Sequence, residues 1–213
     1  MARRQVVVVG GGNAGLCSAL AALEGDAEVT LLEAAPRRER GGNSGFTAGA
    51  MRVAYDGIED ILQLVPDLSE REREKTDFGQ YSRDKFFDDM ARVTQYRCDP
   101  ELTDLLVSRS FDTLKWMRGK GVRFLPIYGR QAFEVNGKFT FWGGLTLEVS
   151  GGGRGLMDRL YTRAEAAGVE FRYSTQITRL LAEGGRVYAV EVVGPDGRHS
   201  RITGDAFVAA LGS

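Results

Sequence analysis

The stretch from Val6 to Glu33, VVVVGGGNAGLCSALAALEGDAEVTLLE, is compatible with few folds. Gln5–Val9 is short, apolar and β-branched, as a strand buried on both faces should be. Gly10, Gly12 and Gly15 come next at G-x-G-x-x-G spacing. Gly10 permits a tight turn, Gly12 lets the backbone approach a pyrophosphate, and Gly15 lets a helix pack closely on the strand. Ala14–Leu23 is rich in Ala and Leu, which favours a helix. The N-terminus of that helix offers N–H groups and partial positive charge to a phosphate. Glu28–Leu32 reads as a second strand, and Glu33 stands at its end, where a ribose-binding acid is expected. A carboxylate there can accept bonds from both ribose hydroxyls. It also repels a 2′-phosphate, which argues against NADP. Strand, glycine turn, helix, strand and acid in this order predict a dinucleotide site at the start of a Rossmann-like, doubly wound α/β domain.

The remaining composition narrows the chemistry. A chain of 213 residues suggests one large domain, or one domain with an insertion. The formal net charge of −1 gives no reason to expect nucleic acid or a membrane surface as partner. No apolar run approaches the roughly 20 residues a membrane span needs. Cys17 and Cys98 stand apart with no C-x-x-C, which predicts two reduced thiols and a cytoplasmic location. The single histidine, His199, lies in the turn-like PDGRHS. Serine–histidine hydrolysis and histidine metal cages have almost no material to work with, so no metal site is expected.

The segment after Glu33 separates flavin from nicotinamide. A plain NAD domain would return to a helix after a short loop. Here EAAPRRERGGNSGFTAGAMR brings a second glycine pair, Gly41 and Gly42, then Asn43, Ser44 and Thr47, then Ala48-Gly49-Ala50. Small residues let a backbone lie against a flat ring. Asn43, Ser44 and Thr47 can bond phosphate oxygens or flavin edge atoms.

On GGNSGFTAGAMR the chain resembles the flavoproteins of the fumarate reductase and succinate dehydrogenase family. Together with RQAFEVNGKFTFWGG and GGGRGLMDRLYTRAEAAGVEFRYSTQITRLL, it looks most like the branch of FAD-dependent tricarballylate dehydrogenases. The resemblance implies FAD, with Gly10, Gly12, Asn13, Ala14 and Gly15 around the pyrophosphate and Glu33 and Ala34 at the adenosine. It puts Gly42, Asn43, Ser44, Thr47, Ala48 and Gly49 along the flavin, next to Gly41, and a backbone contact to adenine near Ile177. Some members link the flavin to a histidine in this loop. Phe46 and Thr47 stand there instead, so FAD is expected to be noncovalent.

Further along, Ile58–Val65 and Tyr81–Thr94 read as helices, and Ser69–Asp77 as a solvated charged segment. Asp99 and Pro100 start another helix, whose Leu102, Leu105, Leu106, Thr113, Leu114 and Met117 suggest one buried stripe. AFEVNGKFTFW signals a hairpin; the resemblance puts it near the flavin and a substrate entrance, with Tyr128, Arg130 and Trp142 as the polar or aromatic candidates there. Gly151–Gly155 reads as a loop before a helix at Leu156–Ala167, and Val169–Tyr173 as a strand that rejoins the first sheet. Gln176–Leu181 and Val187–Val193 suggest a hairpin, and Asp205–Leu211 a last strand, whose end, ALGS, returns to the FAD by the resemblance.

The expected organisation is an FAD-binding domain in residues 1–50 and 145–213, interrupted by a mixed α+β insertion at 51–144. By the resemblance, the fold is C-terminally incomplete, and the arginine and histidine groups that bind carboxylates belong to a capping region outside this sequence. No catalytic residue is assigned. The expected function is the FAD-binding portion of an oxidoreductase acting on a C–C bond of a carboxylate such as tricarballylate, succinate or fumarate. An electron-accepting partner is compatible with that reading. One alternative is a flavin-binding module with no turnover of its own. A more remote one is an NAD-dependent dehydrogenase domain.

Overall fold

A computed structural model describes residues 2–212. The chain forms two compact units, one from Met1–Thr47 with Gly153–Ser213 and one from Ala48–Gly152. The first unit opens with β1 (Gln5–Val9), α1 (Asn13–Glu24) and β2 (Glu28–Leu32). β1 and β2 run parallel with Val9 beside Leu32. Gly10 turns the chain at φ 100° and donates its N–H to Leu32 O. α1 then presents Gly15, Leu16, Ala19 and Leu20 as its buried side. Two short 3-10 turns, Arg37–Glu39 and Gly42–Phe46, complete this part.

The second unit contains β3 (Ala50–Arg52), α2 (Ile58–Leu64), α3 (Glu70–Lys75), α4 (Arg83–Val93) and α5 (Pro100–Gly119). After them come β4 (Phe124–Pro126), α6 (Tyr128–Gln131), β5 (Ala132–Val135), β6 (Lys138–Phe141) and β7 (Thr146–Val149). β3, β7 and β4 make an antiparallel sheet, while β5 and β6 form the expected hairpin across Asn136 and Gly137, both at positive φ. The charged segment after Leu68 is a helix with a capping box: Ser69 accepts from the Glu72 N–H, and Glu72 accepts from the Ser69 N–H.

α5 starts as expected, with the Asp99 carboxylate accepting from the Glu101 and Leu102 N–H groups. Its buried side differs from the leucine stripe. Thr103, Val107, Ser110, Leu114 and Met117 face inward, while Leu102, Leu105 and Leu106 are 65%, 55% and 50% exposed. Thr103 and Ser110 tolerate burial because their hydroxyls donate to Asp99 O and Val107 O, and Ser110 Oγ also accepts the Ala54 N–H.

One tyrosine ties the core of this unit together. The Tyr55 hydroxyl donates to Phe78 O at 2.6 Å and accepts the Leu145 N–H at 2.9 Å. Tyr55→Phe leaves both backbone groups buried without this partner, which costs about 2 kcal/mol. The expected thermal midpoint falls by roughly 4–8 °C in a calorimetric scan, and an unchanged midpoint would contradict the bridge.

The chain returns to the first unit through α7 (Gly152–Ala167), β8 (Glu170–Arg172), β9 (Gln176–Glu183), β10 (Arg186–Val193), β11 (His199–Thr203) and β12 (Ala206–Ala209). The expected loop at Gly151–Gly155 is shorter than its glycines suggest, because α7 already begins at Gly152. β8 rejoins the first sheet beside β2, and β12 pairs with β1, giving an all-parallel order β12-β1-β2-β8. β9, β10 and β11 form an antiparallel meander. Its Val190, Val192 and Ile202 pack with Val7, Val9 and Leu32 in one cluster. Alternation along the strands puts Val8 and Leu31 on the opposite face, and α1 packs against β1 and β2.

Candidate cofactor site

All strands of a parallel sheet point their carboxyl ends one way, and a cleft lies at that end. It has a volume of about 410 Å³, inside the range of roughly 300–1,000 Å³ common for small-molecule sites. Its walls come from Val9–Gly12 after β1, Leu32–Ala34 after β2, Gly42–Ser44, Thr175–Ile177, and Ala210–Gly212 after β12.

The glycines divide their work as the chemistry requires. A Cβ on Gly15 would sit 1.8 Å from Gly10 O, so α1 packs there with no space for a side chain. A Cβ on Gly12 would enter the cleft, with Ser44 Oγ its nearest neighbour at 3.3 Å. Gly12 is the N-cap of α1 and brings no side chain to cap it, and the first turn carries no acid to oppose an anion. Asn13 N–H donates to Ser44 Oγ at 3.1 Å, which links the helix start to the second glycine turn.

Glu33 is only 8% exposed. Its Oε2 accepts the Gly11 N–H at 2.8 Å and its Oε1 accepts the Ala35 N–H at 2.8 Å. Each carboxylate oxygen keeps one further lone pair for another donor. The acid therefore has a structural task in the glycine turn besides any ligand.

Of the residues expected at the cofactor, Gly10, Gly12, Glu33, Ala34, Gly42, Asn43, Ser44 and Ile177 border this cleft. Asn13, Ala14, Gly15, Gly41 and Thr47 are not among the residues that line it. Gly41, at φ 105°, packs on Met157, and Thr47 Oγ1 donates to Ser44 O at 3.0 Å. Ala48 and Gly49 belong to the second unit, where Gly49 O accepts the Val149 N–H. Gly153 N–H bonds Thr47 O, and a Cβ there would meet Ser44 O at 2.2 Å, so this glycine serves close packing. The turn after the last strand, Ala210–Gly212, also lines the cleft, as the resemblance implies. Residues not anticipated are Val9, Gly11, Leu32, Thr175, Gln176 and Tyr161, whose hydroxyl donates to Gly11 O at 2.8 Å.

The other groups singled out from sequence have plainer roles. Burial pushes the Cys17 thiol up to about 11, so it stays protonated at neutral pH. Tyr128 OH pairs with Thr76 Oγ1 at 3.0 Å. Within the second unit a cavity of about 630 Å³ is lined by Trp142, Phe133, Phe86 and Tyr81, with Arg52 rather than Arg130 among its cations. Among the described residues, no cluster of His, Cys, Asp and Glu could hold a metal ion, and no helix is long and apolar enough to cross a membrane.

A glycine turn after β1, a helix start aimed at the cleft and a buried acid after β2 define a dinucleotide-binding α/β protein. The chain belongs to the FAD binding domain family, whose model matches residues 5–212. It is 28% identical over 208 residues to fumarate reductase (cytochrome) of Shewanella frigidimarina, covering 97% of this chain and 33% of that protein. It is 25% identical over 237 residues to NADH:acrylate oxidoreductase of Vibrio harveyi, covering 90% of this chain and 22% of that protein. The 3-ketosteroid-delta4-(5alpha)-dehydrogenase structure from Rhodococcus jostii RHA1 superposes with a TM-score of 0.74 at 20% identity, covering 99% of this chain and 46% of that one. The chain thus spans about a third or less of the length of these two reductases.

FAD is therefore the cofactor, in place of the NAD of the remote alternative. The residues present suit it. The open side of Gly12 and the unopposed start of α1 fit a pyrophosphate, and Glu33 retains acceptor capacity for ribose hydroxyls.

Proposed function

We propose that this chain is the FAD-binding portion of an oxidoreductase that acts on a C–C bond beside a carboxylate, with tricarballylate, succinate and fumarate as the substrate class. The observation that carries the reading is the Gly12–Glu33–Ser44 cleft, in a chain aligned over 97% of its length with a fumarate reductase. Fumarate and acrylate, in the names of its two relatives, are both carboxylates conjugated to a C=C bond. Bound FAD supplies hydride exchange at its N5. Gly12 and the first turn of α1 bind the pyrophosphate, Glu33 takes the ribose, and the Ile177 backbone meets adenine. Gly42, Asn43, Ser44, Thr47, Ala48 and Gly49 serve the flavin end, with Asn13, Ala14, Gly15, Ala34 and Gly41 completing the set. With no histidine in that turn, FAD is noncovalent. Residues 1–50 and 145–213 act as the FAD-binding domain around an insertion at 51–144. An electron-accepting partner completes the cycle. Cys17 and Cys98, in no disulfide, support a cytoplasmic location.

A second reading has one observation in its favour. The chain covers only 33% of the fumarate reductase, so these residues alone are a flavin-binding module with no turnover. The two readings are separated by assaying the present chain and a longer protein that contains it. Tricarballylate and succinate are offered with an artificial electron acceptor, and fumarate and acrylate with a reduced donor dye. Turnover of at least one acid by the longer protein is expected, and no turnover of any carboxylate rejects the substrate class. Gly12→Val separately tests the cleft. Its side chain occupies the pyrophosphate space, so purified protein is expected to lose its flavin absorbance, and retained absorbance contradicts the site.

A further inference from the structure

Gly11 stands between the first two glycines of the motif, and it is gripped from both sides. Its N–H donates to Glu33 Oε2 at 2.8 Å, and its carbonyl accepts from Tyr161 OH at 2.8 Å. A Cβ there would lie 2.2 Å from the phenol oxygen and 2.6 Å from the carboxylate. Tyr161 lies on α7 and is 1% exposed.

The ring itself is held in place. Phe171 packs at 5.4 Å between centroids, and the Arg40 guanidinium lies 4.1 Å from the ring centroid. Arg40 in turn bonds Glu165 at 2.7 Å and Tyr173 OH at 2.9 Å. Burial, and next the charge of Glu33, push the Tyr161 pKa well above its ordinary value. The hydroxyl therefore stays protonated and keeps its role as donor to Gly11 O.

A trans peptide is a rigid plane, in which the carbonyl of one residue and the N–H of the next point in opposite directions. Fixing the Gly11 oxygen on Tyr161 therefore fixes the direction of the Gly12 N–H away from it. Gly12 lines the cleft. A hydrogen bond at the carbonyl also polarises the peptide and strengthens its N–H as a donor, by about 10–30%. We infer that Tyr161 is a positioning residue for the cofactor: by anchoring the Gly11 carbonyl, it aims the Gly12 N–H at the FAD pyrophosphate. The inference rests on the proposed placement of FAD in this cleft.

The test uses Tyr161→Phe, which keeps the ring and removes the donor. FAD affinity is expected to fall about tenfold. The ³¹P resonances of the bound pyrophosphate should move, and ADP should weaken in parallel while adenosine binds as before. Leu160→Ala, at a fully buried neighbour, is the stability control. It should lower the melting temperature without moving the ³¹P resonances or FAD affinity. If Tyr161→Phe does not fold, 3-fluorotyrosine at position 161 keeps the shape and strengthens the donor. It should shift the same resonances in the opposite sense. Unaltered ³¹P resonances and FAD affinity in the Phe variant, or unaltered resonances with fluorotyrosine, overturn the positioning role. A wild-type protein that binds no FAD rejects the cofactor placement instead.

Discussion

Gly15→Ala is expected to destabilise the protein by about 2–3 kcal/mol and to release FAD. Two effects of opposite sign compete. Alanine is the better helix former, worth about 1 kcal/mol over glycine inside a helix, and Gly15 lies in the first turn of α1. Against this, its Cβ would sit 1.8 Å from Gly10 O and 2.9 Å from Gly10 C. Those atoms are backbone, in the turn that pairs with Leu32 O, and cannot swing aside as a side chain would. Overpacking costs about 1–3 kcal/mol, and more where the opposing atoms are rigid, so the clash outweighs the propensity. Relief comes only by moving the start of α1 off β1, which also moves Gly12 in the cleft. A drop of about 5–10 °C in melting temperature is expected. Gly45→Ala is the control, because a Cβ there meets nothing within 4 Å and its φ is not positive; it should change stability by less than about 0.5 kcal/mol. A Gly15→Ala protein as stable as the parent, with FAD still bound, would show that the close helix–strand contact is not required.

The opening motif is legible because its interactions are local. Gly10, Gly12, Gly15 and Glu33 act within one strand–helix–strand segment, and each glycine answers a clash or an opening beside it. The hairpin at Asn136-Gly137 and the cap at Asp99 are legible for the same reason. What escapes the sequence is set by long-range packing. Tyr161 reaches Gly11 across 150 positions, and no local pattern marks that tyrosine among seven. Gly11 reads as a spacer until the two groups flanking it are seen. The resemblance, rather than any local pattern, points to Ala210–Gly212, which enters the cleft because β12 pairs with β1 in the parallel sheet. On α5, hydrophobicity points to the leucines, whereas the buried side tracks Thr103, Val107, Ser110, Leu114 and Met117, whose two polar members find backbone partners.

Glu33→Ala is expected to act twice, once on the empty protein and once on the ligand. The carboxylate accepts the Gly11 and Ala35 N–H groups while only 8% exposed. Removing it leaves two donors of the glycine turn without their acceptor, which costs roughly 3 kcal/mol of stability. Its remaining lone pairs serve the ribose in the proposed pose, and loss of a charged hydrogen bond there weakens binding by about 1.5–3 kcal/mol, roughly 10- to 150-fold. A fall in FAD affinity alone cannot separate the two, because a disordered turn also binds pyrophosphate poorly. Comparison of ADP with 2′-deoxy-ADP does. The parent protein should prefer ADP, and in Glu33→Ala the preference should vanish, since no acid remains to sense the hydroxyl. Glu33→Gln sharpens the point: one of its two terminal atoms becomes an NH₂ that faces a backbone donor, so it too should lose stability despite its shape. If the alanine variant still favours ADP over the deoxy nucleotide as strongly as the parent does, Glu33 belongs to the turn and not to the ribose.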